Sequence, residues 1–78
     1  MITVYTNESC TQCEQTKRYL SVNKIKFDVK DLASSPEVLA IIEEKGYKTA
    51  PIVVTDDESW SGFNLDKLNK LVEKELGF

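Results

Sequence analysis

The hydrophobic period of this chain changes several times over short distances, and those changes limit the folds open to it. Residues 2–6, Ile-Thr-Val-Tyr-Thr, are β-branched or aromatic throughout. Such a run favours a pleated strand, and one buried on both faces fits best. Asn7, Glu8 and Ser9 then break the run with turn formers. From Thr11 to Val22 the period becomes helical, with Cys13, Thr16, Tyr19 and Leu20 (or Val22) along one face. Residues 24–31, Lys-Ile-Lys-Phe-Asp-Val-Lys-Asp, alternate strictly. Ile25, Phe27 and Val29 are expected on one side and charges on the other, as in a half-exposed strand near a sheet edge.

The next segment carries helix punctuation. Ser35 suits an N-cap, Pro36 the first helical position, and Glu37 the first turn. Gly46 suits a left-handed stop, with Lys45 beside it at the negative end of the helix. Val38, Leu39, Ile41 and Ile42 form the expected buried stripe. Pro51 then opens a strand through Thr55, residues 55–58 make a turn, and a short strand follows at Ser59–Ser61. Asn64 can cap a last helix whose inner face is Leu65, Leu68, Leu71 or Val72, and Leu76, with Gly77 ending it. The predicted order is β-α-β-α-β-β-α. The first two strands should be parallel with a right-handed crossover, and the hairpin should add antiparallel strands.

A chain of 78 residues is expected to form a single domain over 1–78 with a thin core, burying about 60 % of its unfolded surface. Its 41 % hydrophobic content suffices for a globular core. The net charge of -3 comes with no basic stripe, which argues against nucleic acid and anionic membranes as partners. Apolar runs reach about five residues, whereas a spanning helix needs roughly 20. Residues 1–10 lack the basic start and apolar stretch of a secretion signal. The expected compartment is therefore the reducing cytoplasm, where a cysteine pair is more often catalytic or metal-binding than structural.

That pair is Cys10 and Cys13, the chain's two cysteines. A bridge between them closes a loop of four residues, for which chain entropy gives about 2 kcal/mol, against ~3 for a 15-residue loop. A clasp between neighbours holds little together. Structural zinc takes four ligands, commonly Cys and His. This chain has no histidine, so a zinc site would need carboxylates or a second chain. Redox chemistry fits the position, after a strand and at a helix start. Unpaired N–H groups and the helix dipole stabilise a thiolate there. In such sites thiols titrate at about 3.5 to 7.5, against roughly 8.5 for a free thiol. Cys10 at the cap is the expected exposed nucleophile. Cys13, one turn in, would attack the mixed disulfide and release the partner. Thr11 and Gln12 between them add no charge. Lys17 either brings its ammonium near the sulfurs or is a solvated surface lysine.

Cys-Thr-Gln-Cys at 10–13, Thr16 and Lys17 behind it, Thr-Ala-Pro at 49–51 and Ser-Trp-Ser-Gly-Phe at 59–63 are the residues of a resemblance that covers the whole chain. The chain resembles the thioredoxin fold in its short glutaredoxin-like form: an α/β protein with a four-stranded mixed sheet flanked by three helices. More closely it is similar to the NrdH-redoxins, small proteins that donate electrons to class Ib ribonucleotide reductase. The Trp-Ser-Gly-Phe motif is the most specific part of the match. The resemblance implies a thiol–disulfide oxidoreductase, a monomer without cofactor or metal. NADPH-dependent thioredoxin reductase would reduce it, and it would in turn reduce the C-terminal cysteine segment of the ribonucleotide reductase. It implies attack by Cys10, resolution by Cys13, and a cis bond before Pro51. The backbone of Ala50 would pair with a partner's peptide. Thr11, Gln12, Lys17, Thr49, Trp60, Ser61, Gly62 and Phe63 would complete the partner surface. From the residues alone, Trp60 and Phe63 are equally readable as core, and Ser61 and Gly62 as a simple turn.

Three other functions compete, the simplest being a bare protein-interaction module with idle thiols. A glutathione-dependent glutaredoxin would, by family resemblance, carry a basic residue where Asn7 stands and a carboxylate near Asn64. With both charges missing, glutathione binding is expected to be poor. A metal or iron–sulfur carrier using Cys10 and Cys13 would need further ligands from a second subunit or from glutathione.

Overall fold

The structure is a computed structural model that describes residues 1–77. Its strands are β1 (Thr3–Thr6), β2 (Asp28–Asp31), β3 (Ile52–Val54) and β4 (Ser59–Ser61), forming one sheet in the order β2-β1-β3-β4. Its helices are α1 (Thr11–Val22), α2 (Leu39–Lys45) and α3 (Leu65–Leu76). Two single-turn 3-10 helices, Leu32–Ser34 and Pro36–Val38, precede α2. The pair β1–β2 is parallel, while β1–β3 and β3–β4 are antiparallel. This is the mixed four-stranded sheet with three helices that the sequence predicts.

Side chains opposite one another across strands share a sheet face. Val4 stands opposite Val53, and Val53 opposite Trp60. These three face α1 and α3 and join Leu20, Leu68, Leu71 and Val72 in the larger core cluster. Tyr5 stands opposite Ile52 and faces the other way, where Val38 completes a smaller cluster with Ile42 against it. The central strands are thus buried on both faces, as expected of the run at 2–6. The Tyr5 hydroxyl donates to Glu37 at 3.1 Å, tying β1 to the start of the α2 segment. Burial, then the hydrogen bond and charge of Glu37, push the Tyr5 phenol above its usual 10.0. A raised folded-state value means this contribution is complete below the unfolded value and is lost as pH rises through the folded one.

The structure departs from the expected pattern at three places. The strand expected from residue 24 begins only at Asp28. Lys24 takes a left-handed φ of 60°, its N–H meets the Ser21 carbonyl, and the Ile25 N–H meets the Leu20 carbonyl. Those two bonds are a Schellman cap, in which Ile25 packs back towards Leu20. Ile25 is therefore buried as the end of α1, and Val29, on an exposed edge strand, stays 49 % exposed. Ser35 does not cap with its side chain. Its hydroxyl donates to the Asp31 carbonyl instead, and the 3-10 turn that follows brings Val38 in and leaves Leu39 out. In α1 the expected face is kept, and of its two alternatives Leu20 is buried and Val22 exposed. In α3, Leu68, Leu71 and Val72 are buried, whereas Leu65 and Leu76 are not. A 12-residue helix is about 18 Å long and a four-residue strand about 13 Å, so the helix ends overhang the sheet.

Leu20 is fully buried. Leu20→Ala should cost about 2–5 kcal/mol. A chain of this length holds roughly 4–12 kcal/mol in all, so the urea midpoint should fall steeply. Val22→Ala, two residues along on the exposed side, should stay within about 0.5 kcal/mol.

Candidate functional site

β1 ends at Thr6, and the chain turns through residues 7–9 into α1. Ser9 takes a left-handed φ of 53° in that turn, directly before Cys10. Cys10 is the N-cap of α1, with extended backbone at φ -106° and ψ 106°. Its carbonyl accepts the Glu14 N–H at 3.2 Å, closing the first helical turn. Its Sγ accepts the Cys13 N–H at 3.1 Å, in the place where Ser or Asp oxygen commonly caps a helix. Cys10 and Cys13 are joined as a disulfide with their Cα atoms 5.2 Å apart. Cys10 is half-buried, while Cys13 is 1 % exposed and packed into the protein. Thr16 is buried one turn below, where its hydroxyl donates to the Gln12 carbonyl at 2.9 Å. The sulfur of Cys10 therefore sits against unpaired helix N–H groups and the positive end of the dipole, a setting that favours its ionised form once the bridge is reduced.

The opposite wall is the segment before β3. The Ala50–Pro51 bond is cis, as the resemblance implies. Pro51 is buried, and its carbonyl accepts the Gly62 N–H at 2.8 Å. Among the described residues, neither the N–H nor the carbonyl of Ala50 has a partner. An open groove of about 380 Å³ runs between residues 7–12 on one side and 48–50 on the other, with Cys10, Thr11 and Thr49 on its walls. The unpaired backbone of Ala50 and the edge of the disulfide face the same space, which suits an extended peptide bearing a sulfur. A larger hollow of about 580 Å³ lies at the other end of β1, against Met1, Ile2 and Phe27, and carries no reactive group.

The remaining candidates separate. Trp60 is 4 % exposed and belongs to the main core, so the expectation that it lies on the partner surface is corrected. Its position opposite Val53, on the face covered by α1 and α3, puts it there, and its Nε1 is buried with no partner among the described residues. Phe63 is half-buried and packs against that core from the rim, beside Tyr19 and Val22 of α1. Ser61 is half-buried in β4, and Gly62 is buried in the loop after it. The Lys17 ammonium pairs with Glu14 at 3.0 Å, its neighbour one turn back. Asn64 uses its side-chain oxygen to cap α3, accepting the Lys67 N–H at 3.1 Å. Gln12 has a contact that no spacing in the sequence announces. Its Oε1 accepts the Phe63 N–H at 2.8 Å, across 51 positions of chain. Among the described residues no three Cys, Asp or Glu side chains converge as a metal-holding group, and no helix is long and apolar enough to cross a membrane.

Residues 2–60 match the glutaredoxin family. The chain is 38 % identical over 71 residues to the glutaredoxin-like protein NrdH of Lactococcus lactis subsp. lactis (strain IL1403), covering 91 % of this chain and 99 % of that one. Among solved structures it is similar to the NrdH-redoxin of Escherichia coli, with a TM-score of 0.79 and 36 % identity over 90 % of this chain and 92 % of that one. A glutaredoxin from Archaeoglobus fulgidus superposes with a TM-score of 0.69 at 26 % identity, over 91 % and 84 % of the two chains.

Gly62 ties this site together, with φ at 77°. A Cβ there would stand 3.0 Å from Gln12 Oε1, which the flexible end of that side chain relieves by moving. The backbone conformation has no such relief, and a left-handed alanine costs about 1–2 kcal/mol. Gly62→Ala should lower urea stability by that amount, and in NMR spectra the Phe63 amide signal should shift as Gln12 moves away.

Proposed function

The chain belongs to the glutaredoxin family, in its NrdH-like branch, and from that premise we propose that it donates electrons to a class Ib ribonucleotide reductase and is itself reduced by NADPH-dependent thioredoxin reductase. It is a thiol–disulfide oxidoreductase with a close cysteine pair. The observation that carries the reading is the Cys10 sulfur, half-exposed and capping α1, beside the unpaired backbone of Ala50.

In the forward reaction the reduced protein presents Cys10 as a thiolate. It attacks one sulfur of the partner's disulfide, forming a Cys10–partner bond, and the electron pair of the broken bond leaves on the partner's second sulfur, which takes up a proton. Cys13, one turn in and shielded, then gives up its proton and attacks the Cys10 sulfur. The partner departs as a dithiol, and the Cys10–Cys13 disulfide holds the oxidised state. Two electrons from NADPH, passed through the reductase, restore both thiols, so the protein needs no cofactor of its own. Ala50 pairs with the backbone of the partner's C-terminal cysteine segment, while Thr11 and Thr49 wall the groove and Pro51, buried rather than on the partner surface, sets the bend behind it. The protein acts as a cytoplasmic monomer.

Two features support this reductant over glutathione. Glutathione carries two carboxylates and an amine, and Asn7 and Asn64 offer no charge to either, with the Asn64 oxygen already committed to capping α3. The Escherichia coli relative is itself described by a thioredoxin-like activity profile. Each missing charge-assisted bond is worth roughly 1.5–3 kcal/mol, so two weaken glutathione binding by about a hundredfold or more. NADPH with thioredoxin reductase should therefore reduce the Cys10–Cys13 disulfide quickly, and NADPH with glutathione and glutathione reductase slowly. The reverse order would make the protein a glutaredoxin in function. Cys10→Ser should abolish disulfide reduction, whereas Cys13→Ser should accumulate a mixed disulfide with the partner, visible on a non-reducing gel.

A further inference from the structure

Gln12 lies between the two cysteines, yet its side-chain oxygen is already engaged within the protein. It accepts the Phe63 N–H at 2.8 Å. The Gly62 N–H, one residue before, is held by the Pro51 carbonyl at 2.8 Å. Hydrogen bonds thus run from the dithiol turn through the loop after β4 to the bend that carries Ala50. Phe63 stands at the centre of that connection. Its ring packs on the core and borders an apolar hollow of about 370 Å³ along α1, formed with Tyr19 and Val22.

We propose that Gln12 is a positioning residue that selects for protein disulfides over small ones. Its carboxamide fixes the Phe63 backbone to the turn that holds Cys10 and Cys13, so a partner meets the reactive sulfur and the apolar rim in one rigid arrangement. The Gln12 oxygen is taken up by the Phe63 N–H rather than by either sulfur, although the residue borders the groove beside Cys10. Its effect is therefore confined to substrates large enough to reach Phe63. A loop held in its bound position loses less freedom when a partner docks, and that is where the gain arises. This inference rests on the dithiol chemistry proposed above, and requires no particular reductase.

Gln12→Met keeps the length of the side chain and removes its strong acceptor. Two probes separate the roles: insulin as a protein disulfide, and 5,5′-dithiobis(2-nitrobenzoate) as a small one, both assayed with the dithiothreitol-reduced protein. Loss of one neutral hydrogen bond corresponds to about three- to tenfold. With insulin, kcat/KM should fall by that factor, carried by KM, while the small disulfide reacts within about twofold of the unmodified protein. Gln12→Glu keeps an acceptor for the Phe63 N–H. It should recover KM for insulin, while its charge at the helix start moves the pH–rate profile upward. An equal loss with both probes would overturn the proposal, because Gln12 would then act on the thiols themselves. So would an unchanged KM for insulin in Gln12→Met. If the unmodified protein reduces neither probe, the dithiol reading fails instead, which is a distinguishable result.

Discussion

The rest of the site depends on the contact between the Cys10 sulfur and the first turn of α1. A helix start leaves N–H groups without partners, and here one of them points at sulfur rather than at a serine or aspartate oxygen. The cap is therefore also the reactive atom. Because Cys13 lies within the same first turn, the helix that stabilises a thiolate at position 10 also keeps the second sulfur within bonding distance. The large core cluster holds this turn in place through Leu20 at the far end of α1, and buried Thr16 holds it through the Gln12 carbonyl.

The sheet supplies the second wall. Val53 and Ile52 are buried on opposite faces of β3, so the strand and the Pro51 bend before it cannot shift without disturbing both clusters. That rigidity sets an unpaired backbone, at Ala50, across a groove from the disulfide. The loop after β4 joins the two walls, reaching Pro51 through Gly62 and the dithiol turn through Gln12. Trp60, placed just before that loop, contributes from beneath as core rather than as contact surface.

Much of this was legible in the residues. The run at 2–6, the helical period after Cys10, and the stops at Gly46 and Gly77 placed the elements, since each is a local matter of period or backbone freedom. Cys10 at a helix cap could be read from spacing, and the cis bond before Pro51 only from family likeness. What could not be read involved distant partners. Lys24 ends α1 in a left-handed turn that a glycine would have announced, so the alternation at 24–31 looked like one long strand. The burial of Trp60 depends on which sheet face α1 and α3 cover. The Gln12–Phe63 bond spans 51 positions and leaves no periodic trace. Lys17 had two readings, and its pairing with a carboxylate one turn away belonged to neither.

The central claim is that the start of α1 makes Cys10 the ionised, attacking sulfur. Its most direct test is the rate of iodoacetamide modification of each thiol in the fully reduced protein as a function of pH, resolved by mass spectrometry of the peptides. Cys10 should be modified first, with its rate half-maximal below about pH 7.5, and Cys13 should lag throughout. A Cys10 thiol titrating at or above about 8.5, or modification of Cys13 ahead of Cys10, would contradict it.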